Sequence, residues 1–435
     1  MAPSSTQHAS DEALVVRNCT LVDGTDRDPI SHAAVIVEGA RIVAVGAESS
    51  VQIPRGARVL DADGGTVIPG LINLHDHIAR KTLRQPATTL SFRDEGKLLL
   101  SEPYEFLALH SANGVLAELR SGVTTIRDFG LPGASAIAVK RAINAGLIPG
   151  PRLVIAVNPV AITGGHAYQW VREADGPDEV RKAVREQIRA GADCIKLMAS
   201  GGLIGFPDED PDVPELTIAE LAAGIEEAHK FHRRVAAHAY PVQAIKNAIE
   251  AGIDSIEHGV YLNEECVSMM RERGVALVPT ISGISHLPHQ FETIGRDDLS
   301  KELIERVMKP FGNAIRMAVE AGLRVGTGSD TAGELVEELE LIQEAAGLSN
   351  LACIRAATRV ASEIIGLDRT IGTLEVGKAA DMVVVGGQPL DDLAHLRRPR
   401  WVVRDGRVYD GAPMPLGVRL AALERRGSPT SRVGV

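Results

Sequence analysis

The residues able to do chemistry gather at a few places. The run Gly70-Leu71-Ile72-Asn73-Leu74-His75-Asp76-His77 ends in two histidines one residue apart. Side chains alternate along an extended chain, so His75 and His77 leave it on the same side and Asp76 faces away. Two imidazoles so placed can share one metal ion. On its own, a His-x-His pair is more often a pair of loop histidines. Four further groups change that balance. Lys196 lies between Ile195 and Leu197, His238 sits in Val235-Ala-Ala-His-Ala239, His258 closes Asp254-Ser-Ile-Glu-His258, and Asp330 closes Arg324-Val-Gly-Thr-Gly-Ser-Asp330. Each alone is readable as a satisfied core group, and Lys196 as a buried lysine paired with a carboxylate. Four histidines, a lysine and an aspartate at or near the ends of apolar runs fit a metal centre better than packing.

The elements that must position these groups form a strand–helix repeat. The strand-like runs are Thr66–Leu74, Val123–Asp128, Arg152–Ala156, Cys194–Ala199, Val235–Ala239, Asp254–His258, Ala276–Thr280 and Arg324–Asp330. Helical patterns lie between them over Asp178–Arg189, Thr217–Phe231 and Leu303–Glu320. Ala-Gly pairs at Ala145-Gly146, Ala190-Gly191, Ala251-Gly252 and Ala321-Gly322 predict left-handed helix stops. Eight such units predict an α/β fold, a (β/α)₈ TIM barrel, whose active groups sit at the C-terminal ends of its strands. A doubly wound sheet is the alternative, but it does not normally need eight units. Short β-like runs separated by turn formers occupy both ends of the chain, with Asp405-Gly406 as a hairpin signal. They predict a small β-sandwich built from residues 13–68 and 366–415, around a barrel over 69–365. Residues 416–435 read as a C-terminal arm.

Composition narrows the function. The net charge of −11 over 435 residues argues against nucleic acid or an anionic membrane as the main partner. Four scattered cysteines, Cys19, Cys194, Cys266 and Cys353, read as free thiols of a reducing compartment. The polar start, Met1 to Asp11, has no apolar core of a signal peptide, and no apolar run reaches the roughly 18 residues of a membrane span. A cytoplasmic homo-oligomer acting on a small molecule is the expectation.

With these residues in view, the chain resembles the amidohydrolase superfamily of metal-dependent hydrolases. The matching pieces are Pro69–His77, Lys196, His238, His258, Asp330 and the closing Gly372-Thr-Leu-Glu-Val-Gly-Lys-Ala-Ala-Asp-Met-Val-Val384. Ile162-Thr-Gly-Gly-His166, Ile195–Gly202, His238-Ala-Tyr240 and the acidic loop Phe206–Pro214 resemble its Xaa-Pro dipeptidase and ochratoxin amidase branch. Ala167, where that branch leads one to expect glycine, is a departure.

The resemblance implies two divalent ions, zinc foremost, bridged by Lys196 carboxylated on its amine. Burial among apolar neighbours lowers a lysine's pKa and so favours the neutral amine that adds carbon dioxide. It implies His75, His77 and Asp330 on one ion and His238 and His258 on the other. A metal-bridged hydroxide would attack the amide, with Asp330 moving its proton to the leaving nitrogen. His166 is expected to bind the carbonyl oxygen or its oxyanion, and Tyr240 a substrate carboxylate.

The substrate expected is a dipeptide or an N-acyl amino acid. The alternatives are a mycotoxin or xenobiotic amide, a carbamate or a phenylurea. A deaminase fits less well, because such relatives usually use one metal and lack the lysine. A non-catalytic scaffold is disfavoured by the full ligand set. Asp128 matches no ligand role, and His229 and His232 read as solvated. His286 and His289 read as surface loop, and Arg80 and Arg84 as possible partners of an anionic substrate.

Overall fold

The apolar run from Thr66 to Leu74 is not one strand but two, divided at Gly70. A side chain at Gly70 would run into Thr124, with a Cβ only 2.1 Å from its Oγ1. The break separates two bodies of structure. The computed structural model describes residues 12–79, 100–130, 135–203, 209–331 and 333–414. Arg80, Arg84, the 416–435 arm and residues 206–208 of the acidic loop lie outside the described residues.

The first body begins with β1 (Leu14–Leu21), β2 (Ile30–Glu38), β3 (Arg41–Ala47), β4 (Arg58–Asp61) and β5 (Thr66–Pro69). The second begins at β6 (Leu71–Asp76) and continues with β7 (Val123–Asp128), β8 (Arg152–Ile155), β9 (Val160–Ala161), β10 (Arg172–Glu173) and β11 (Cys194–Met198). Then follow β12 (Arg234–Ala239), β13 (Ser255–His258) and β14 (Ala276–Val278). The chain returns to the first body in β15 (Met382–Val385), β16 (Pro399–Arg404) and β17 (Arg407–Asp410).

The terminal strands form one continuous eight-stranded sheet, in the order β17-β16-β15-β5-β1-β2-β3, with β4 added on β1. β5 joins the two ends of the chain, pairing antiparallel with β15 and parallel with β1. Alternate residues meet in one apolar core that includes Val16, Leu21, Val35, Ile42, Val67, Met382, Val384 and Val403. The Asp405-Gly406 hairpin forms as the sequence predicts, between β16 and β17.

The middle strands are parallel, in a three-stranded sheet β6-β7-β8 and a six-stranded sheet β10-β9-β11-β12-β13-β14. Backbone bonds link the two. The Asp193 amide donates to the Ile155 carbonyl at 2.7 Å. Val325 bridges Leu277, and the Leu74 amide donates to the Thr327 carbonyl at 2.8 Å. The expected eighth strand is thus a bonded extended segment between β14 and β6. Helices flank these strands, among them Pro177–Ala190, Ile218–Lys230 and Val242–Ala251. Gly146, Gly191, Gly252 and Gly322 all hold positive φ at helix ends, as the Ala-Gly pairs predict. The pattern Leu303–Glu320 is not one regular helix: a π turn over Ile304–Met308 interrupts it.

Alternation along the strands sorts the side chains. Ile126, Ile155, Ile195, Leu197, Ala237 and Ile256 pack in one core with helix residues such as Val184, Leu221, Ile245 and Met270. Their neighbours Arg127, Lys196, His238 and Glu257 point the other way. That alternation places polar chemistry on one face of the parallel strands.

Candidate metal centre

Each polar group reaches the centre through a local feature of its strand. His75 is inside β6, and His77 follows its end. Lys196 is mid-β11 and His238 late in β12. Alternation alone would turn His258 away, because Glu257 before it already faces inward. His258 adopts a left-handed φ of 68°, and Asp330 one of 51°. A non-glycine residue held there stores strain, a property that gathers at functional sites. Ala167, beside His166, is left-handed too, at 59°. A glycine would take that conformation freely, which is the physical content of the departure noted in the sequence.

The aromatic rings form a continuous chain. Centroids lie 5.6 Å apart for His75–His77, 4.9 Å for His75–His258 and 4.5 Å for His238–His258. His238 also stacks on His166 at 4.2 Å and on Tyr240 at 4.8 Å. Asp330 Oδ1 is 3.7 Å from His77 Nε2 and 3.9 Å from His75 Nε2. Among the described residues, His75, His258 and Asp330 form one group whose ligand atoms all lie within 4.8 Å of one another. That trio takes a histidine from each of the two ligand sets expected, with Asp330 between them.

The far nitrogen of each histidine is engaged. His75 Nδ1 meets Glu257 at 2.9 Å, His77 Nδ1 the Gly130 carbonyl at 2.8 Å, His238 Nε2 the Gly201 carbonyl at 3.0 Å and His258 Nδ1 Thr280 at 2.6 Å. The carboxylate and carbonyls only accept, which fixes the tautomers of His75, His77 and His238 and leaves their other nitrogen to a metal; the Thr280 hydroxyl can take either role. Burial, reinforced by the Lys196 charge, pushes His75 and His258 well below the usual histidine pKa. Burial, then the nearby His166, does the same for His238. Neutral imidazoles are the form that binds metal.

Lys196 tests whether the site fits such an ion. Its Nζ is buried and has no hydrogen-bond partner among the described residues. It lies over the Phe129 ring at 4.2 Å, and among the described residues no carboxylate lies within ion-pair distance of it. Burial lowers its pKa to about 8, against the opposing pull of Glu257 and Asp330. A lysine paired with a carboxylate is therefore not what the structure shows. An unsatisfied buried amine among neutral histidines and an aspartate suits a site completed by cations.

A cleft with about 570 Å³ of empty space opens on this centre. His166, Tyr240 and all six expected ligands line it, with Trp170, Met198, Leu203 and Ile284 as an apolar wall. His166 is held twice. Its ring Nδ1 meets Glu209 at 2.5 Å, and its backbone amide donates to Glu215 at 2.8 Å.

His286 and His289 do not line the cleft, and His289 is exposed. His229 is a half-exposed partner of Asp254. Asp128 accepts from the Ile78 amide at 2.9 Å, a structural role. The sequence reading missed Glu257, Arg127, Glu209 and the apolar wall. Only Glu257 carried a local signal, as an acid directly before a strand-end histidine.

The fold and the site together define an α/β enzyme with a candidate metal centre where its parallel strands end. The chain belongs to the amidohydrolase family, whose model matches residues 66–408, and it is a hydrolase acting on amide bonds. It is 30% identical to the ochratoxinase of Aspergillus niger, over 93% of this chain and 88% of that protein. A crystal structure of a Xaa-Pro dipeptidase with methionine bound in its active site superposes with a TM-score of 0.81 at 27% identity, covering 92% of this chain and all of that one. A putative prolidase from Bifidobacterium longum gives 0.80 at 30% identity, over 95% of this chain and 98% of that one.

Proposed function

We propose that this chain is a binuclear metal-dependent amidohydrolase that cleaves a small amide, a dipeptide or an N-acyl amino acid. The observation that carries the reading is the Lys196 amine, buried among His75, His77, His238, His258 and Asp330 and without a hydrogen-bond partner among the described residues. Carboxylation of Nζ would give it two oxygens, one for each of two cations, with His75, His77 and Asp330 on one side and His238 and His258 on the other. Two divalent ions held there, most simply zinc, would supply an acidified water and a polarised carbonyl.

The chain's own groups do the rest. Asp330 takes the proton of the attacking water and hands it to the leaving nitrogen. Doubly protonated, with its Nδ1–H on Glu209, His166 donates through Nε2 to the carbonyl oxygen. The Tyr240 hydroxyl binds the far end of the substrate. In fold terms, we propose that the parallel strands and the 325–327 segment close into a (β/α)₈ barrel over residues 69–365, and that the terminal sheet folds over its core as a sandwich.

A second reading has a specific support. Trp170, Met198, Leu203 and Ile284 give the cleft an apolar wall suited to an aromatic acyl group, and the similarity to an ochratoxinase points the same way. One panel tests both readings: dipeptides, N-acyl amino acids and aryl-amide toxins assayed with the same zinc-loaded sample. Turnover of the first two groups supports the dipeptidase reading. Turnover of the aryl amides alone transfers the assignment to the second, and no turnover of any of them contradicts both.

A further inference from the structure

Beneath the histidines lies a charged cluster that the proposed reaction does not use. Glu257 is fully buried and Arg127 is 3% exposed. Glu257 Oε1 accepts from Arg127 Nη2 and from the Ser255 hydroxyl, both at 2.7 Å. Its Oε2 faces His75 Nδ1 at 2.9 Å. Arg127 also donates through Nη1 to Ser255 at 3.2 Å and through Nε to the Leu74 carbonyl at 2.5 Å, one residue before His75. The guanidinium thus ties β6 to β13 and holds the carboxylate in place.

This arrangement singles out His75. A carboxylate only accepts, so His75 Nδ1 must donate and Nε2 keeps its lone pair toward Asp330. The other three histidines rest on neutral partners: the Gly130 and Gly201 carbonyls and the Thr280 hydroxyl. A charged acceptor makes the stronger hydrogen bond and the more basic ligand. We infer that Glu257, locked by Arg127 and Ser255, is a positioning residue that fixes the His75 tautomer and makes the two cation positions unequal, the His75 position being the tighter. This inference rests on the two-ion reading proposed above.

The test is stepwise metal release. Zinc-loaded enzyme is dialysed against graded chelator, bound zinc is measured by elemental analysis, and thermal unfolding confirms that each variant is folded. The wild type releases its ions in two separate steps. Glu257→Gln moves the tighter step by about 10- to 100-fold, the usual cost of an outer-shell change, and leaves the weaker step in place. Because Glu257→Gln strands the Arg127 charge, the double variant Arg127→Met/Glu257→Gln removes both charges and shows the same selective loss. Ser255→Ala shifts the same step by less. Equal shifts of both steps, or no shift, overturn the inference. A wild type that binds a single ion overturns the two-ion reading instead; the inference then requires Glu257→Gln to weaken that one ion, and unchanged affinity overturns it.

Discussion

Among the described residues the buried Lys196 amine has no hydrogen-bond partner, and an unpaired buried polar group costs free energy. The proposed carboxylation and cations would remove that cost. Lys196→Ala should therefore lose at least one ion per chain, and turnover should fall on the order of 10²-fold or more. Metal analysis and rate on one preparation check this, and full turnover without an added carboxylate would sink the bridging role. Asp330→Asn separates proton transfer from metal binding. It should keep some of its metal and lose about 10²- to 10⁴-fold in turnover, the range of a general acid–base group. Unchanged turnover removes Asp330 from that role. At this scale the sequence was informative because the proposed ligands are polar residues where apolar ones are expected. Arg127 and Glu257 were not legible as a pair, since nothing in spacing connects positions 130 residues apart.

The elements decide where those groups point. The break at Gly70 was signalled locally by Pro69-Gly70, a turn-forming pair, but the close approach of Thr124 that leaves no room for a side chain there was not. The turn of His258 toward the centre was hidden in the sequence, because histidine favours the left-handed region only weakly. Gly202 shows how tightly the cleft is built: a Cβ there would lie 2.4 Å from the His166 ring. Gly202→Ala should displace His166 and lower kcat/KM by about tenfold or more with metal content unchanged, since effective positioning is lost. Equal kcat/KM would show that His166 is not needed where it stands. The helix Leu335–Ala346 supports the cleft from behind, where the buried Glu338 accepts from the Ser282 amide at 2.7 Å. Burial pushes its carboxyl up to about 8 from an ordinary 4.5. The folded chain then binds the proton more tightly than the unfolded one. Its stability is fully present below the unfolded value and falls as pH rises toward 8. Glu338→Gln should flatten that fall in denaturant midpoints between about pH 5 and 8.5; an unchanged slope contradicts the assignment.

At the scale of the molecule, two bodies share one chain that crosses between them at Gly70 and again before β15. Arg152 of β8 fastens them. It donates to Asp381 at 2.6 Å and to Asp405 at 2.7 Å, both in the terminal sheet region. Asp381 is nearly buried; burial pushes its pKa up, and Arg152 opposes that. Arg152→Met leaves the buried Asp381 carboxylate without this partner and should cost about 1–3 kcal/mol of stability, read from denaturant unfolding, as unpairing a buried acceptor does. A loss within the scatter of surface substitutions would show that the bodies are held elsewhere. The strand–helix repeat and the β-rich ends were legible because alternation, helix period and Ala-Gly stops are local signals. The way one long sheet joins β5 to β15 was not, because it pairs positions more than 300 residues apart.

In the proposed mechanism a pair of cations, joined through Lys196, carries the amide hydrolysis. The direct measurement is activity against added zinc on enzyme stripped by chelation. Hydrolysis should be absent from the metal-free chain and rise to a plateau at about two equivalents. Full hydrolysis by the metal-free chain, or a plateau at one equivalent, would contradict the account.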